Sequence, residues 1–144
     1  MTLVSHTHRF VYLKTFKTAS TSIEAFFERY CVDDPARHQP VEYCPEIVTS
    51  AGVIGCRRGK AEKQAATWHA HMAAWEVMRR MGVTRWLHSF RFTSVRNPFE
   101  QMVARFVYFH RKNESLLRAP LPERREAFSD WYAARRAKSD RYIY

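Results

Sequence analysis

Twice along this chain a short run of β-forming apolar residues passes through a polar, basic loop into a segment with helical spacing. The first run lies in residues 9–15, with Phe10, Val11, Tyr12 and Leu13. It leads through Lys17, Thr18, Ala19, Ser20, Thr21 and Ser22 to Ile23, Phe26, Phe27 and Tyr30, spaced as one face of a helix that Ser22 or Thr21 can cap. The second run, residues 89–95, puts Phe90 and Phe92 on one face of a strand and stops at Arg96-Asn97-Pro98. Asn97 supplies a cap and Pro98 suits the first helical position. A helix is therefore predicted over 98–112, with Phe99, Met102, Val103, Phe106 and Val107 turned inward. Two strands that each feed a helix predict an α/β fold: a central parallel sheet joined by crossovers and flanked by helices.

The rest of the chain fits around these two units. Prolines and glycines punctuate residues 32–66, where only 46–54 could hold a strand, so this stretch reads as an irregular excursion. Within it Arg57-Arg58-Gly59-Lys60 reads as a solvated basic turn. Thr67 is placed to cap a helix over 67–82, with Trp68, Met72, Trp75 and Met78 or Arg79 on a stripe and Gly82 as its stop. A last helix with a basic face is predicted from Pro120 to about Lys138. At 144 residues the whole is expected to be one domain.

Charge narrows the partners. A formal net charge of +10 favours anionic ligands without choosing among nucleotides, sulfated or phosphorylated molecules, nucleic acid and acidic lipid. No stretch approaches the roughly 18 apolar residues of a membrane helix, and MTLVSHTHRF has no signal-peptide core, so a soluble, cytoplasmic protein is expected. Cys31, Cys44 and Cys56 show no paired spacing and read as reduced structural thiols. The seven histidines show no ligand pattern, so no metal is expected.

In open α/β sheets ligands sit at the carboxyl ends of strands, where helix N-termini offer unpaired N–H groups and partial positive charge. The loop from Lys17 to Ser22 lies at such a place. Its small residues admit a phosphate-like group to the backbone, the hydroxyls of Ser20, Thr21 and Ser22 can donate, and Lys17 adds a point charge. It is not the nucleotide loop GxxxxGK[ST], because the lysine comes first and no glycine is present. Arg96 occupies the corresponding place in the second unit, so the two loops could hold a ligand with two separated anionic groups.

These residues carry a resemblance. LKTFKTASTSIE resembles the 5′-phosphosulfate loop of sulfotransferases that use 3′-phosphoadenylyl sulfate (PAPS), in the branch of carbohydrate and heparan-type enzymes and their bacterial relatives. FTSVRNPFEQMVARF resembles that family's 3′-phosphate segment, and HMAAWEVMRRMG its histidine helix. The resemblance implies a P-loop-kinase-like sulfotransferase fold and transfer of a sulfuryl group from PAPS to a hydroxyl of a carbohydrate or other small acceptor, in a short member of the family. It implies Lys17 at the bridging oxygen of the donor, the backbone N–H groups of residues 18–22 with the hydroxyls of Ser20, Thr21 and Ser22 at the 5′-phosphate, and Arg96 at the 3′-phosphate. His71 is implied as the base, a role that suits an imidazole near neutral pH, with His69 as the fallback. Ala104 and Gln101 depart from the family pattern, which has serine and a basic residue there.

A second reading is a catalytically degenerate relative that binds anions or nucleic acid. Its nucleic-acid version is disfavoured, because the aromatics follow core periods and are not interleaved with arginines on an open face.

Overall fold

In the computed structural model, which describes residues 2–40, 44–57 and 65–139 (side chains to 136), the run after Arg9 becomes a four-residue strand, Phe10–Leu13. Alternate side chains find cover on opposite faces: Phe10 and Tyr12 join one apolar cluster, Val11 and Leu13 the other. This strand is β2, because the buried Thr2–Ser5 before it is already a strand, β1. The chain reverses through residues 6–9, with Arg9 at φ 52°, and pairs Thr2 with Leu13 and Ser5 with Phe10. The other edge of β1 pairs with β4, Gly52–Ile54, which has β3, Ile47–Val48, as its hairpin partner. β5, Phe90–Thr93, lies parallel to β2, with Phe90 beside Phe10 and Thr93 beside Leu13. The order is β3-β4-β1-β2-β5.

The expected parallel sheet is therefore corrected to a mixed one, in which β2–β5 is parallel and the other three pairings are antiparallel. Crossover logic holds where a helix follows β2. It says nothing about hairpins. Thr2–Ser5 is too short to display a period, its turn lacks glycine and proline, and residues 46–54 fold back at Thr49-Ser50-Ala51 instead of forming one strand. Gly52 makes the second hairpin's approach possible: a Cβ there would lie 2.2 Å from the Val4 carbonyl oxygen.

Helices cover both faces. α1, Ser20–Phe27, packs Ile23 and Phe27 on one cluster, and the 3₁₀ turn Glu28–Cys31 adds Tyr30 and Cys31. Phe26, from the same predicted stripe, is exposed. α2, Ala74–Met81, and α3, Val83–Leu87, bring Val77, Met81 and Trp86 to the other cluster, beside Trp68 and Met72. Each aliphatic side chain so buried contributes about 1.5–3 kcal/mol.

The helix predicted over 67–82 is corrected at its start. The backbone at 68–70 runs beside Cys56, whose N–H donates to Trp68 O at 2.7 Å and whose carbonyl accepts from Ala70 N at 3.2 Å. That bridge competes with helical bonds, so α2 begins only where Glu76 Oε2 accepts the Ala73 N–H at 2.8 Å. It ends at Gly82, φ 86°, as expected; Trp75 is exposed.

The excursion is also more ordered than its composition suggests. Glu28 is buried against Arg57 (2.5 Å) and His38 (3.0 Å), so Arg57 is an internal ion-pair partner and not part of a solvated turn. Arg58, Gly59 and Lys60 lie outside the described residues. All three cysteines are buried and outside any disulfide; burial, and then Glu28, pushes the Cys31 thiol up to about 12.

Two compact units divide the chain, Met1–Val95 and Arg96–Tyr144, and the elements above make up the first. The second is helical. α4, Pro98–Phe109, starts as expected, with Asn97 Oδ1 accepting the Phe99 N–H at 2.9 Å. α5, Glu114–Arg118, and α6, Leu121–Ser139, follow. Phe106 is the buried member of α4 and meets Phe128 and Trp131 of α6 edge-on at 5.5 and 5.6 Å. Phe99, Val103 and Val107, predicted inward, are exposed. Among the described residues no helix is long and apolar enough to cross a membrane.

Candidate functional site

The loop between β2 and α1 departs from ordinary backbone geometry. Lys17 has φ 60° and Ala19 φ 56°, left-handed values that cost a non-glycine residue about 1–2 kcal/mol. Ala19 occupies the cap position of α1, no side chain caps the helix, and its first turn holds no acidic residue. This corrects the expected Ser22 or Thr21 cap. Ser22 N and Ile23 N point back to the Ala19 carbonyl at 3.1 and 3.4 Å. The start of the helix thus keeps the positive end of its dipole without a built-in anion.

The loop's hydroxyls divide into two sets. Thr18 and Ser20 are buried and hold the loop: Ser20 Oγ donates to Thr15 O at 3.1 Å, and Thr18 Oγ1 lies 2.7 Å from Thr15 Oγ1 and 2.8 Å from Ser94 Oγ. Ser94 also meets the Tyr12 hydroxyl at 2.8 Å, and its carbonyl accepts from Thr15 Oγ1 at 2.5 Å. Thr21 and Ser22 are exposed. Of the hydroxyls expected to reach an anion, Ser20's proton is committed inward, and its contribution passes to the backbone N–H. Tyr12, Thr15 and Ser94 were not singled out in the sequence; the only hint was a hydroxyl residue, Ser94, between the second strand and Arg96. Burial holds the Tyr12 phenol above its ordinary value although the bond to Ser94 pulls it down.

Lys14 is the second addition. Its ammonium meets Glu24 Oε2 at 2.6 Å and donates to Thr21 Oγ1 at 3.4 Å. Glu24 is fully buried one turn into α1. The pair ties Lys14 to a buried carboxylate, whereas Lys17 lies half-buried in the loop beside the Phe16 ring.

His71 is brought to this loop, though not from a helix. It lies in the stretch before α2 at φ 61°, and its Nδ1 donates to Lys14 O at 3.3 Å. That bond selects the tautomer in which Nε2 carries the basic lone pair. The Phe16 ring sits 5.7 Å from the imidazole and 5.7 Å from Lys17 Nζ, so both groups share one aromatic neighbour. Three of the four left-handed non-glycine residues among those described, Lys17, Ala19 and His71, gather here; such strain clusters at working sites. His69 is turned to Ala70 O at 3.0 Å, in the bridge to Cys56.

Arg96 opens the second unit, where it is exposed and its Nε meets Glu100 Oε2 at 3.1 Å. Among the described residues no group of three or more His, Cys, Asp or Glu is placed to hold a metal ion. The first unit's arrangement can bind an anion at a helix start, place a lysine charge beside it and hold an imidazole nearby as proton acceptor. A family model described as Sulfotransferase family matches residues 1–141. No curated protein and no solved structure matches the chain.

Proposed function

This chain belongs to the sulfotransferase family, and from that premise we propose that it transfers a sulfuryl group from PAPS to a hydroxyl of a carbohydrate or other small acceptor. The observation that supports this reading most is His71 held against the backbone of the uncapped, lysine-bearing loop. We take the β2–loop–α1 segment and the parallel β2–β5 pair as the nucleotide-binding part of a P-loop-kinase-like fold, and the two compact units as one domain.

PAPS supplies a sulfuryl group on a phosphate leaving group. The chain's part is positioning and charge. The N–H groups of residues 18–21, with the hydroxyls of Thr21 and Ser22, bind the 5′-phosphate; Ala19 and Ser20 serve through backbone alone, and Ser22, whose N–H is held by the Ala19 carbonyl, through its hydroxyl. Lys17 steadies the bridging oxygen as that S–O bond breaks. His71 Nε2 takes the acceptor's hydroxyl proton as the new S–O bond forms, and adenosine 3′,5′-bisphosphate leaves. Arg96 is assigned to the 3′-phosphate, whose fork geometry a guanidinium matches.

Calorimetric titration tests the donor assignment. Adenosine 3′,5′-bisphosphate should bind at least tenfold more tightly than ATP, and Lys17→Ala and Arg96→Ala should each weaken it. Equal, salt-sensitive binding of both nucleotides, indifferent to the substitutions, would sink the reading. With an acceptor in hand, His71→Ala should slow transfer about 10²–10⁴-fold; an unchanged turnover removes His71 as the base.

A further inference from the structure

A second concave surface lies at the other end of the sheet. The turn between β1 and β2, α3 and the residues leading into β5 enclose a cleft of about 250 Å³. Its walls include Ser5, His6, Arg9, Arg85, His88 and Ser89. These residues stand where β1 ends and where β2 and β5 begin, whereas the Lys17 loop follows the carboxyl end of β2. A four-residue strand separates the two places by on the order of 10 Å.

The cleft's chemistry is one-sided. Two guanidiniums and two imidazoles line it, with no aspartate or glutamate. Among the described residues neither Arg9 nor Arg85 has a carboxylate within ion-pair distance, whereas Lys14 and Arg57 each meet a buried glutamate. Burial first, and the Arg85 charge second, hold the His6 imidazole below its ordinary value. Cations so gathered repel one another, and a bound anion relieves them.

The backbone beneath is fixed. His6 N donates to Ala51 O at 2.7 Å, and the Arg9 carbonyl, at the left-handed end of the turn, accepts from Phe90 N at 2.8 Å. The three serines are walls, not donors to a ligand: Ser5 Oγ donates to Tyr30 O at 2.5 Å, Ser50 Oγ to Asp33 Oδ1 at 2.7 Å and Ser89 Oγ to Arg85 O at 2.7 Å. His88 Nδ1 donates to Thr84 O at 2.8 Å, so Nε2 donates to an anion in the cleft only as the imidazolium. The groups left to recognise a ligand are two forked guanidiniums and two imidazoles, a set suited to a tetrahedral oxyanion. The volume falls below the roughly 300–1,000 Å³ of drug-sized sites, so any organic part is about the size of one sugar ring.

We propose that this cleft is a second anion site, separate from the Lys17 loop, that takes a sulfate or phosphate group, free or as the monoester of a sugar-sized molecule. The proposal does not depend on the transfer reaction. It is tested by following the histidine ring signals of the full chain by NMR, while sodium sulfate, sodium phosphate or glucosamine 6-sulfate replaces chloride at fixed ionic strength. The expected result is a saturable shift at His6 and His88. Half-saturation should rise at least tenfold in the Arg9→Asn/Arg85→Gln double variant and stay unchanged in Lys17→Ala. Asn tolerates the left-handed turn, and Arg85→Gln alone, at an exposed position of α3, gives a second reading should the double variant lose its fold. Equal response to all three probes identifies the free anion as the ligand, and tenfold tighter binding of the sugar ester identifies the monoester. No saturable shift, a shift that survives both arginine substitutions, or one abolished by Lys17→Ala would overturn the proposal.

Discussion

Ala19 shows how much of the site rests on single backbone angles. A methyl-bearing residue at φ 56° carries left-handed strain that glycine would not, while glycine loses more freedom on folding. Ala19→Gly should therefore raise stability by up to about 1 kcal/mol, or about 3 °C in a melt for a chain of this size. Ala19→Val puts a β-branched side chain at that angle and should lower stability by about 1–2 kcal/mol. Calorimetric melts of both variants check the pair. If Ala19→Val melts no lower than wild type, the loop does not hold its left-handed turn in solution.

At the scale of elements, the sheet depends on one missing side chain. Gly52→Ala would drive a methyl group against the Val4 carbonyl, and neither backbone can retreat without breaking the β1–β4 ladder. A loss of about 3 kcal/mol is expected from urea unfolding, at the upper end of overpacking costs. A loss below about 1 kcal/mol would mean the β1–β4 contact is looser than described. Glycine and cap signals of this kind are local, which is why the end of α2 at Gly82 and the start of α4 at Asn97-Pro98 were legible in the sequence. β1 and the β3–β4 hairpin were not, because two to four residues cannot show a period and their turns carry no diagnostic residue. The start of α2 was misplaced for another reason: the bonds from Cys56 to Trp68 and Ala70 are long-range, and a periodic reading of residues 67–82 cannot see them. The candidate site was proposed from residue types alone. Its conformation was hidden, since Lys, Ala and His do not announce left-handed angles as glycine would.

For the molecule as a whole, a net charge of +10 makes stability depend on where protons are taken up. His6 faces Arg85, Arg9 and His88 in the cleft, and burial and Arg85 lower its folded pKa from 6.5. The unfolded chain binds that proton more readily. The stability gained by keeping His6 neutral is therefore full above pH about 6.5 and is lost as pH falls through that value toward the lower folded pKa. Melting temperature in chloride should drop as pH falls below about 6.5, and His6→Gln should flatten that part of the curve. An unchanged slope in His6→Gln would assign the drop to other histidines.

The hydroxyls behind the Lys17 loop have a consequence of their own. Thr15 has one hydroxyl proton and gives it to the Ser94 carbonyl, so Thr18 must donate to Thr15, Ser94 to Thr18, and Tyr12 to Ser94. The chain has a single polarity, with the phenol at its head and a backbone oxygen as its sink. Loss of the head strips one donor and leaves every later proton where it was. Loss of Thr15 strands the proton of Thr18 and forces it toward the 3.5 Å alternative at the Thr15 carbonyl. Tolerance of hydroxyl removal along this row should be lopsided, high for Tyr12→Phe, which keeps the buried ring, and low for Thr15→Val.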